Sequence, residues 1–535
     1  MSSRSPSLGK GPRSPFHEGV HFGRLHELLF IIVISCGQLF TQASLGQVVV
    51  PLEIIAKSLG TSDPAQESWT IAAYSLTVGT FVLPAGRLGD MYGHRRILLA
   101  AYMWFALWSL ISGFSVYARS VIMFDVCRAM QGIAPAAVLV NSVAILGRTY
   151  LPGPRKNYAF AIFAAAAPNG FLVGSVFSSL FAQFLWWPWA FWSEAIACLV
   201  MVPAVYFVIP ADVVLDAPDP ETDVAASSAS SVSSEITAGP RFDWLGTVLG
   251  ISGLVLVNFA WNQAPVVGWP TPYTYALLIV GIILVCAFLV VESRVHGALV
   301  PTKIWNRRIS MMLACIVLGW STFGIWNFYG IRFLIQMREN TPLGAVADFV
   351  PSGVAGAIAT VLTGFLLPII GPSFVMVLAL CAFCVATILF ATAPIHQTYW
   401  AQTFVSIIIA PFGMDMSFPA ASLVASNSVQ RHQQGIAASL VNTFVNYSVS
   451  LGLGFAGTVE TQLNRGGKTK ADVLRGYRSA FYLGIGFSSL GIGVALLNVA
   501  LDHRANRRVK ANPELVEKHA QSSQHGDGPE TRSHA

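Results

Sequence analysis

Apolar runs of about 18 residues or more recur along the whole chain, each long enough to cross the hydrocarbon core of a bilayer as a helix. The first group lies near 28–52, 69–85, 97–117, 121–146, 158–184 and 189–209. The pattern then breaks. Between Ile209 and Arg241 stand Asp212, Asp216, Asp219, Glu221, Asp223 and Glu235, with a serine-rich stretch from Ser227 to Ser234. A segment with so few large apolar residues predicts a disordered linker. Runs resume near 244–262, 272–292, 309–335, 343–367, 373–392, 398–424, 435–458 and 479–501. The expectation is an all-α polytopic membrane protein with 14 spans.

Composition sharpens this picture. Of 535 residues, 54% are hydrophobic and 11% charged, where a soluble domain carries about 25% charged residues. The net charge of +6 sits in short loops and at the termini. Such a distribution orients a membrane protein and makes no nucleic-acid surface. Cys36, Cys127, Cys198, Cys286, Cys315, Cys381 and Cys384 all fall in apolar runs, which predicts free thiols; Cys381-x-x-Cys384 reads as packing. The sequon at Asn446 also lies in an apolar run, out of reach of glycosylation. Met1–Arg24 is polar and basic without a short apolar core, so the first run reads as a retained span.

The loops set the expected orientation. With the N-terminus inside, inner loops hold Arg87, Arg95, Arg96, Arg148, Arg155, Lys156, Arg294, Lys303, Arg307 and Arg308, and the tail adds Arg504, Arg507 and Arg508. Most outer loops hold one cation or none. Asn464–Arg478 dissents, with five cations on the outer side. The sum favours both termini in the cytoplasm.

The junction between the second and third runs is Gly86-Arg87-Leu88-Gly89-Asp90-Met91-Tyr92-Gly93-His94-Arg95-Arg96. It places Asp90 at the end of one helix and Arg95 and Arg96 at the start of the next. A basic turn that obeys the positive-inside rule is the plain alternative. Gly364–Gly371 repeats the G-x-L-x-x-x-x-G spacing between two later spans, with Pro368 in place of the acid. A functional copy and an eroded copy are what two duplicated six-helix halves would leave.

The G-x-L-x-D-x-x-G-x-R pattern resembles the signature loop of major facilitator transporters. The resemblance implies two six-helix halves, with Gly86, Arg87, Leu88, Asp90, Gly93, Arg95 and Arg96 holding the inner gate and Asp90 set against a helix N-terminus of the opposite half. Arg128-x-x-Gln131-Gly132 resembles the family's R-x-x-Q-G motif, whose Arg is implicated in proton coupling. Asp125, three residues before Arg128, shares its helical face; a structural Arg satisfied by Asp125 is the alternative. Gly170-x-x-x-Gly174-Ser175-x-x-Ser178-Ser179 matches the antiporter motif G-x-x-x-G-P-x-x-G-G with serines in place of the proline and the final glycines. Gly170 and Gly174 still permit close helix packing.

In the first span, Gln42, Ser44 and Gln47 stand where fourteen-span drug:proton antiporters have D-x-T-x-x-N before A-L-P. Gln38, Gln42 and Gln47 read as one polar stripe contacting substrate, or as glue between helices. In Pro411–Pro419, Asp415 lies within an apolar run flanked by Pro and Gly, which predicts a broken helix and a cation- or proton-binding acid. A helix-end role is the alternative. Asn169, Trp326 and Asn327 are further substrate-contact candidates, and Asn442 and Asn446 lesser ones.

With Trp69–Thr80 and Trp187–Trp192, these motifs resemble a fungal subgroup of the fourteen-span drug:proton antiporters. That subgroup includes aminotriazole- and boron-resistance exporters and low-affinity ammonium transporters. The resemblance covers about residues 28–501. It implies a cytoplasmic tail (1–26), a six-helix half (27–209), the acidic linker (210–243), two inserted helices (244–292), a second six-helix half (293–501) and a second tail (502–535). It further implies a monomeric transporter, without cofactor, drawing on the proton gradient; with no retrieval signal visible at the C-terminus, the plasma membrane is the expected location. The substrate is a drug-like or toxic compound to be exported, or a small inorganic species such as ammonium or borate.

Other classes fare worse. A sensor with a transporter fold requires a folded signalling domain, and neither linker nor tail is composed like one. No H-E-x-x-H, G-x-S-x-G or nucleotide-binding loop appears, so neither an enzyme nor an ATP-driven pump is expected.

Overall fold

The computed structural model describes residues 23–150, 154–210, 243–295, 299, 304–429 and 434–511. The outer parts of both tails and the acidic linker between 210 and 243 lie outside the described residues. Fifteen α-helices fill the described chain. The first half comprises α1 (Arg24–Val49), short α2 (Leu52–Ser58), α3 (Pro64–Tyr92), α4 (His94–Ala118), α5 (Val121–Thr149), α6 (Pro154–Phe184) and α7 (Pro188–Val208). The inserted pair is α8 (Trp244–Val267) and α9 (Pro272–Glu292). The second half comprises α10 (Arg307–Arg332, continued by a π-helical turn Phe333–Met337), α11 (Pro342–Ile370), α12 (Pro372–Thr392), α13 (Gln402–Asn427), α14 (Gln434–Leu463) and α15 (Lys470–Ala511). All except α2 are long and apolar enough to cross a membrane, giving 14 candidate spans.

Local chemistry explains where several helices start. Side chains of Asp63, Ser120, Asp243, Asn306 and Thr341 accept hydrogen bonds from the first-turn amides of α3, α5, α8, α10 and α11, satisfying donors that the helix itself leaves unpaired. α15 begins at Lys470, so much of the cationic segment expected as an outer loop is helix. There Lys470 pairs with Glu339, and Arg478 donates to the Ala393 carbonyl at 3.5 Å. At its other end α15 runs on to Ala511, where Arg307 and Arg308 lie 3.6 and 3.2 Å from Asp502.

The duplicated pattern is visible in the packing. α1 lies against α6, α3 against α5, and α4 against α5 and α7. In the second half α10 lies against α14, α11 against α13, and α12 against α13 and α15, which is the same plan. Single glycines make the matching junctions. Gly93 joins α3 to α4 with φ 93°, and Gly371 joins α11 to α12 with φ 80°. Each amide donates to the carbonyl four residues earlier, Gly89 at 2.9 Å and Leu367 at 3.1 Å. Positive φ is what lets one residue reverse the chain here, and only glycine takes it at no steric cost.

The halves meet along two seams, α3 with α14 and α6 with α11. α8 covers the α3/α14 seam and α9 packs on α8. Asn258 and Asn262 of α8 fasten this side: Ser450 donates to Asn258 Oδ1 and to the Ala72 carbonyl, both at 2.8 Å, and Asn262 donates to the Ser450 carbonyl at 3.2 Å.

The apolar cores differ between the two ends of the bundle. At the end carrying Glu67, one core joins Ile71, Phe124 and Phe191 of the first half to Trp326, Tyr329 and Phe390 of the second. Toward the Gly93 end each half keeps its own buried core, one around Phe30, Tyr102 and Phe105, the other around Ile316, Met376 and Leu380. On α6 and α11 there, Ile162, Ile358, Val361, Phe365 and Ile369 are exposed. The halves therefore share one buried core at the Glu67 end and keep separate buried cores at the other.

Candidate functional site

At the Gly93 end, the motif residues make their contacts almost wholly within the first half. Arg148 of α5 lies 3.0 Å from Asp90, and His94 Nε2 lies 3.3 Å away. His94 Nδ1 meets Asn141 Oδ1 at 2.8 Å, and Asn141 donates to the Ala137 carbonyl at 2.7 Å. A Cβ at Gly89 would overlap both Asn141 and His94. Arg95 donates to the Tyr206 carbonyl and lies 4.9 Å over the Tyr206 ring. Gly86 faces Ser439 of α14, a contact with the second half. Arg87 and Arg96 form no ion pair within 4.0 Å among the described residues. Leu88 sits within the last turns of α3. The expected placement of Asp90 against a helix of the opposite half does not hold in this structure. Its carboxylate is 46% exposed and paired inside its own half; the buried core of each half is separate at this end, with Leu83 of α3 packed on that of the second.

Deeper in the first half lies a closed polar network. Arg128 is fully buried. Its guanidinium donates to Ser44 Oγ at 3.1 Å, the Ser44 carbonyl at 2.8 Å, the Thr70 carbonyl at 3.3 Å and Gln131 Oε1. It also stacks 4.4 Å over the Tyr74 ring. Gln131 Nε2 in turn donates to Glu194 Oε2 at 2.8 Å. The same oxygen accepts from Gln47 Nε2 at 2.8 Å and Ser109 Oγ at 3.1 Å. Asp125 is not the partner of Arg128. It accepts from Gln66 at 2.7 Å, and no ion pair joins the two. The guanidinium reaches across to α1 and α3 instead of back along α5.

The glutamine stripe also divides. A helix turns 100° per residue, so Gln38 and Gln42 lie 40° apart but Gln47 points about 140° further round from Gln42. Gln47 is buried in the Glu194 network, while Gln38 and Gln42 are half-buried on another face. Gly132 lies where a Cβ would strike Thr77 and the Tyr74 carbonyl, so it sets the α3/α5 approach. Gly170 and Gly174 do the same for α6 against the Leu39 and Ala43 carbonyls of α1, and Ser175 donates to the Gly46 carbonyl at 3.2 Å.

The Glu67 end carries the ion pair that joins the halves. Arg332 of α10 lies 2.8 Å from Glu67 of α3, with side chains 7% and 4% exposed. Arg332 Nε donates to Tyr477 Oη at 3.0 Å, and Tyr329 donates to Glu460 of α14 at 2.8 Å. Glu67–Arg332 is the ion pair that crosses between halves among the described residues.

The remaining candidates scatter. α13 is one continuous helix through Pro411 and Pro419, not a broken one. Prolines are tolerated inside membrane helices where neighbours compensate the lost bond, and Thr363 donates to the Asp415 carbonyl at 3.3 Å. The Asp415 carboxylate faces Gly356 of α11. Trp326 is core, not lining: it is buried and donates to Ser406 at 2.9 Å. Asn327 is buried beside it. Asn169 is exposed and donates to the Ala165 carbonyl at 2.7 Å, and Asn442 and Asn446 likewise bond one turn back. The seven cysteines are free, and Cys286 is exposed.

Glu194, Glu67, Arg332 and Glu460 escaped the sequence reading. Glu194, Arg332 and Glu460 fall within or beside apolar runs, where any ionisable residue calls for an explanation. Applying that rule to every charge would have found them.

A bundle with 14 candidate spans in two equivalent halves, with separate cores at one end and a shared core and buried ion pair at the other, is the build of a membrane transporter. The sequence profile of the Major Facilitator Superfamily matches residues 32–347 and 343–524, and the chain belongs to that superfamily. It is 54% identical to the low affinity ammonium transporter of Saccharomyces cerevisiae, over 88% of each chain. It is 43% identical to efflux pump terJ of Aspergillus terreus over 90% of each, and 37% identical to the aminotriazole resistance protein of S. cerevisiae over 91% of this chain and 86% of that one. The subgroup resemblance noted in the sequence thus holds. The crystal structure of the POT family transporter PepTSo shares the fold, with a TM-score of 0.61 at 14% identity over 91% of this chain and 99% of that one.

Proposed function

We propose that this transporter exports small organic compounds across the plasma membrane by alternating access, as a monomer driven by inward proton flow. The observation that carries the reading is the unequal closure of the two ends. A shared core and the Glu67–Arg332 pair seal one end, while separate cores leave the other parted. The Lys and Arg of the short loops put the parted end in the cytoplasm. On this reading the protein faces inward, and substrate enters between α6 and α11. Asp90 and Arg148 brace the first half in this state and become available to the second half when the cytoplasmic end closes.

Export of drug-like or toxic compounds is supported by the relatives named as efflux pumps and as an aminotriazole resistance protein. A second reading, movement of ammonium or another small inorganic species, is favoured by the 54% identical ammonium transporter and by Gln42 in place of a first-span acid. Counterflow separates them. Proteoliposomes preloaded with unlabelled aminotriazole, methylammonium or borate are mixed with the labelled compound, and transient accumulation marks a substrate. Aminotriazole counterflow supports the first reading; counterflow confined to methylammonium or borate replaces it with the second.

A further inference from the structure

We propose that Glu194 is the proton-carrying carboxylate of this transporter, with the proton held on Oε1. The inference rests on the proton-coupled reading above and names the group that does the coupling.

Glu194 gathers four helices: its own α7, α1 through Gln47, α4 through Ser109 and α5 through Gln131. All three donors converge on Oε2, whereas buried Oε1 has no hydrogen-bond partner. Two amides and a hydroxyl can donate to a carboxylate oxygen and, less strongly, to the carbonyl oxygen of a carboxylic acid. The site therefore keeps its hydrogen bonds in both protonation states, and the vacant oxygen is where the proton goes. Protonation forms one O–H bond from hydronium and deprotonation returns that proton to water; no other bond changes.

The coupling partner is Arg128. A guanidinium keeps its charge in a protein, so a buried one needs a counter-charge. Gln131 links it to Glu194, accepting from Arg128 on one side of its amide and donating to Glu194 on the other. Neutralising Glu194 leaves Arg128 to be stabilised by the carbonyls of Ser44 on α1 and Thr70 on α3, and by the Tyr74 ring. α3 forms a seam between the halves, and α1 carries half-buried Gln38 and Gln42. The other groups with electrostatic influence on the site are Tyr74 of α3, Cys198 of α7 and, through Arg128, Asp125 of α5. The first two are neutral as ordinary side chains, and Asp125 is held by Gln66.

The rival acids are placed differently. Glu67 and Glu460 surround Arg332 at the seal, and Asp415 lies against Gly356, away from Arg128. The test compares wild type, Glu194→Gln, Glu194→Asp and Asp415→Asn in proteoliposomes, using whichever of aminotriazole, methylammonium or borate gives counterflow with wild type. A pH gradient of one unit drives about tenfold accumulation in a one-proton exchange. Wild type and Asp415→Asn should reach that ratio. Glu194→Gln, which mimics the proton-loaded form, should stay near unity at every pH, and its counterflow should need more substrate than wild type does, because the neutral site binds substrate more weakly. Glu194→Asp should restore accumulation with a displaced pH profile. In detergent, substrate should release a proton to a pH dye from wild type and none from Glu194→Gln. Gradient-driven accumulation by Glu194→Gln beside a coupled wild type overturns the assignment alone. Loss of accumulation in a monodisperse Glu194→Asp protein as well, with no pH dependence left, also overturns it, in favour of a structural role. A wild type indifferent to the gradient overturns the coupled reading and this one with it.

Discussion

Replacing Glu67 by Gln removes the charge that joins the two halves at the sealed end. Both partners of the pair are nearly inaccessible, and breaking a buried pair by deleting one member costs about 3–5 kcal/mol. The cost here is smaller. Arg332 still faces Glu460 and bonds Tyr477, so its charge is not abandoned, and about 2 kcal/mol is the figure to expect. That loss falls on the sealed state alone, because the two groups separate and meet water when the end opens. The ratio of sealed to open molecules should fall about thirtyfold. Spin labels at Lys57 of the first half and Arg465 of the second, in a cysteine-replaced background, report the separation by electron–electron double resonance. Wild type should give a short, narrow distribution, and Glu67→Gln should add a longer one. An Asp90→Asn control, at the opposite end, should add none there. An unchanged distribution in Glu67→Gln would refute the idea that this pair holds the seal.

Three further outcomes follow from the geometry. Asp90→Ala should insert normally but lose transport, and normal flux in a correctly inserted protein would sink the gating role. Gly174→Val should cost well over 1–3 kcal/mol of overpacking, since any Cβ there overlaps the α1 backbone; fluorescence-detected size exclusion should show loss of the monodisperse peak, and an intact peak would contradict the packing. Asn258→Ala removes the acceptor that ties α8 to Ser450. It should lower stability by about 1 kcal/mol, read as a few degrees in thermal unfolding, and an unshifted transition would mean that the Asn258–Ser450 bond does not hold the inserted pair.

The spans, their number and the duplication were legible because hydrophobic length is a one-dimensional property, and the Gly93 and Gly371 turns announce themselves through spacing. The seams were not legible, because they depend on which faces of separate helices meet. Arg128 illustrates this. Its neighbour in sequence, Asp125, is a natural partner on one helix, yet three other helices supply what the guanidinium binds or balances against. Gln47 illustrates the other limit: five residues beyond Gln42, it faces a different side of α1 and serves Glu194 instead of a pathway. The break expected around Asp415 from its Pro and Gly neighbours does not occur, because packing from α11 and α12 keeps the helix whole.

The most direct test of the account is flux through wild-type protein in sealed proteoliposomes, with and without an imposed proton gradient, for aminotriazole, ammonium and borate side by side. The account predicts uphill movement of a small organic substrate that collapses when the gradient is dissipated. Transport that runs only downhill, whatever the gradient, would contradict it and make the protein a facilitator.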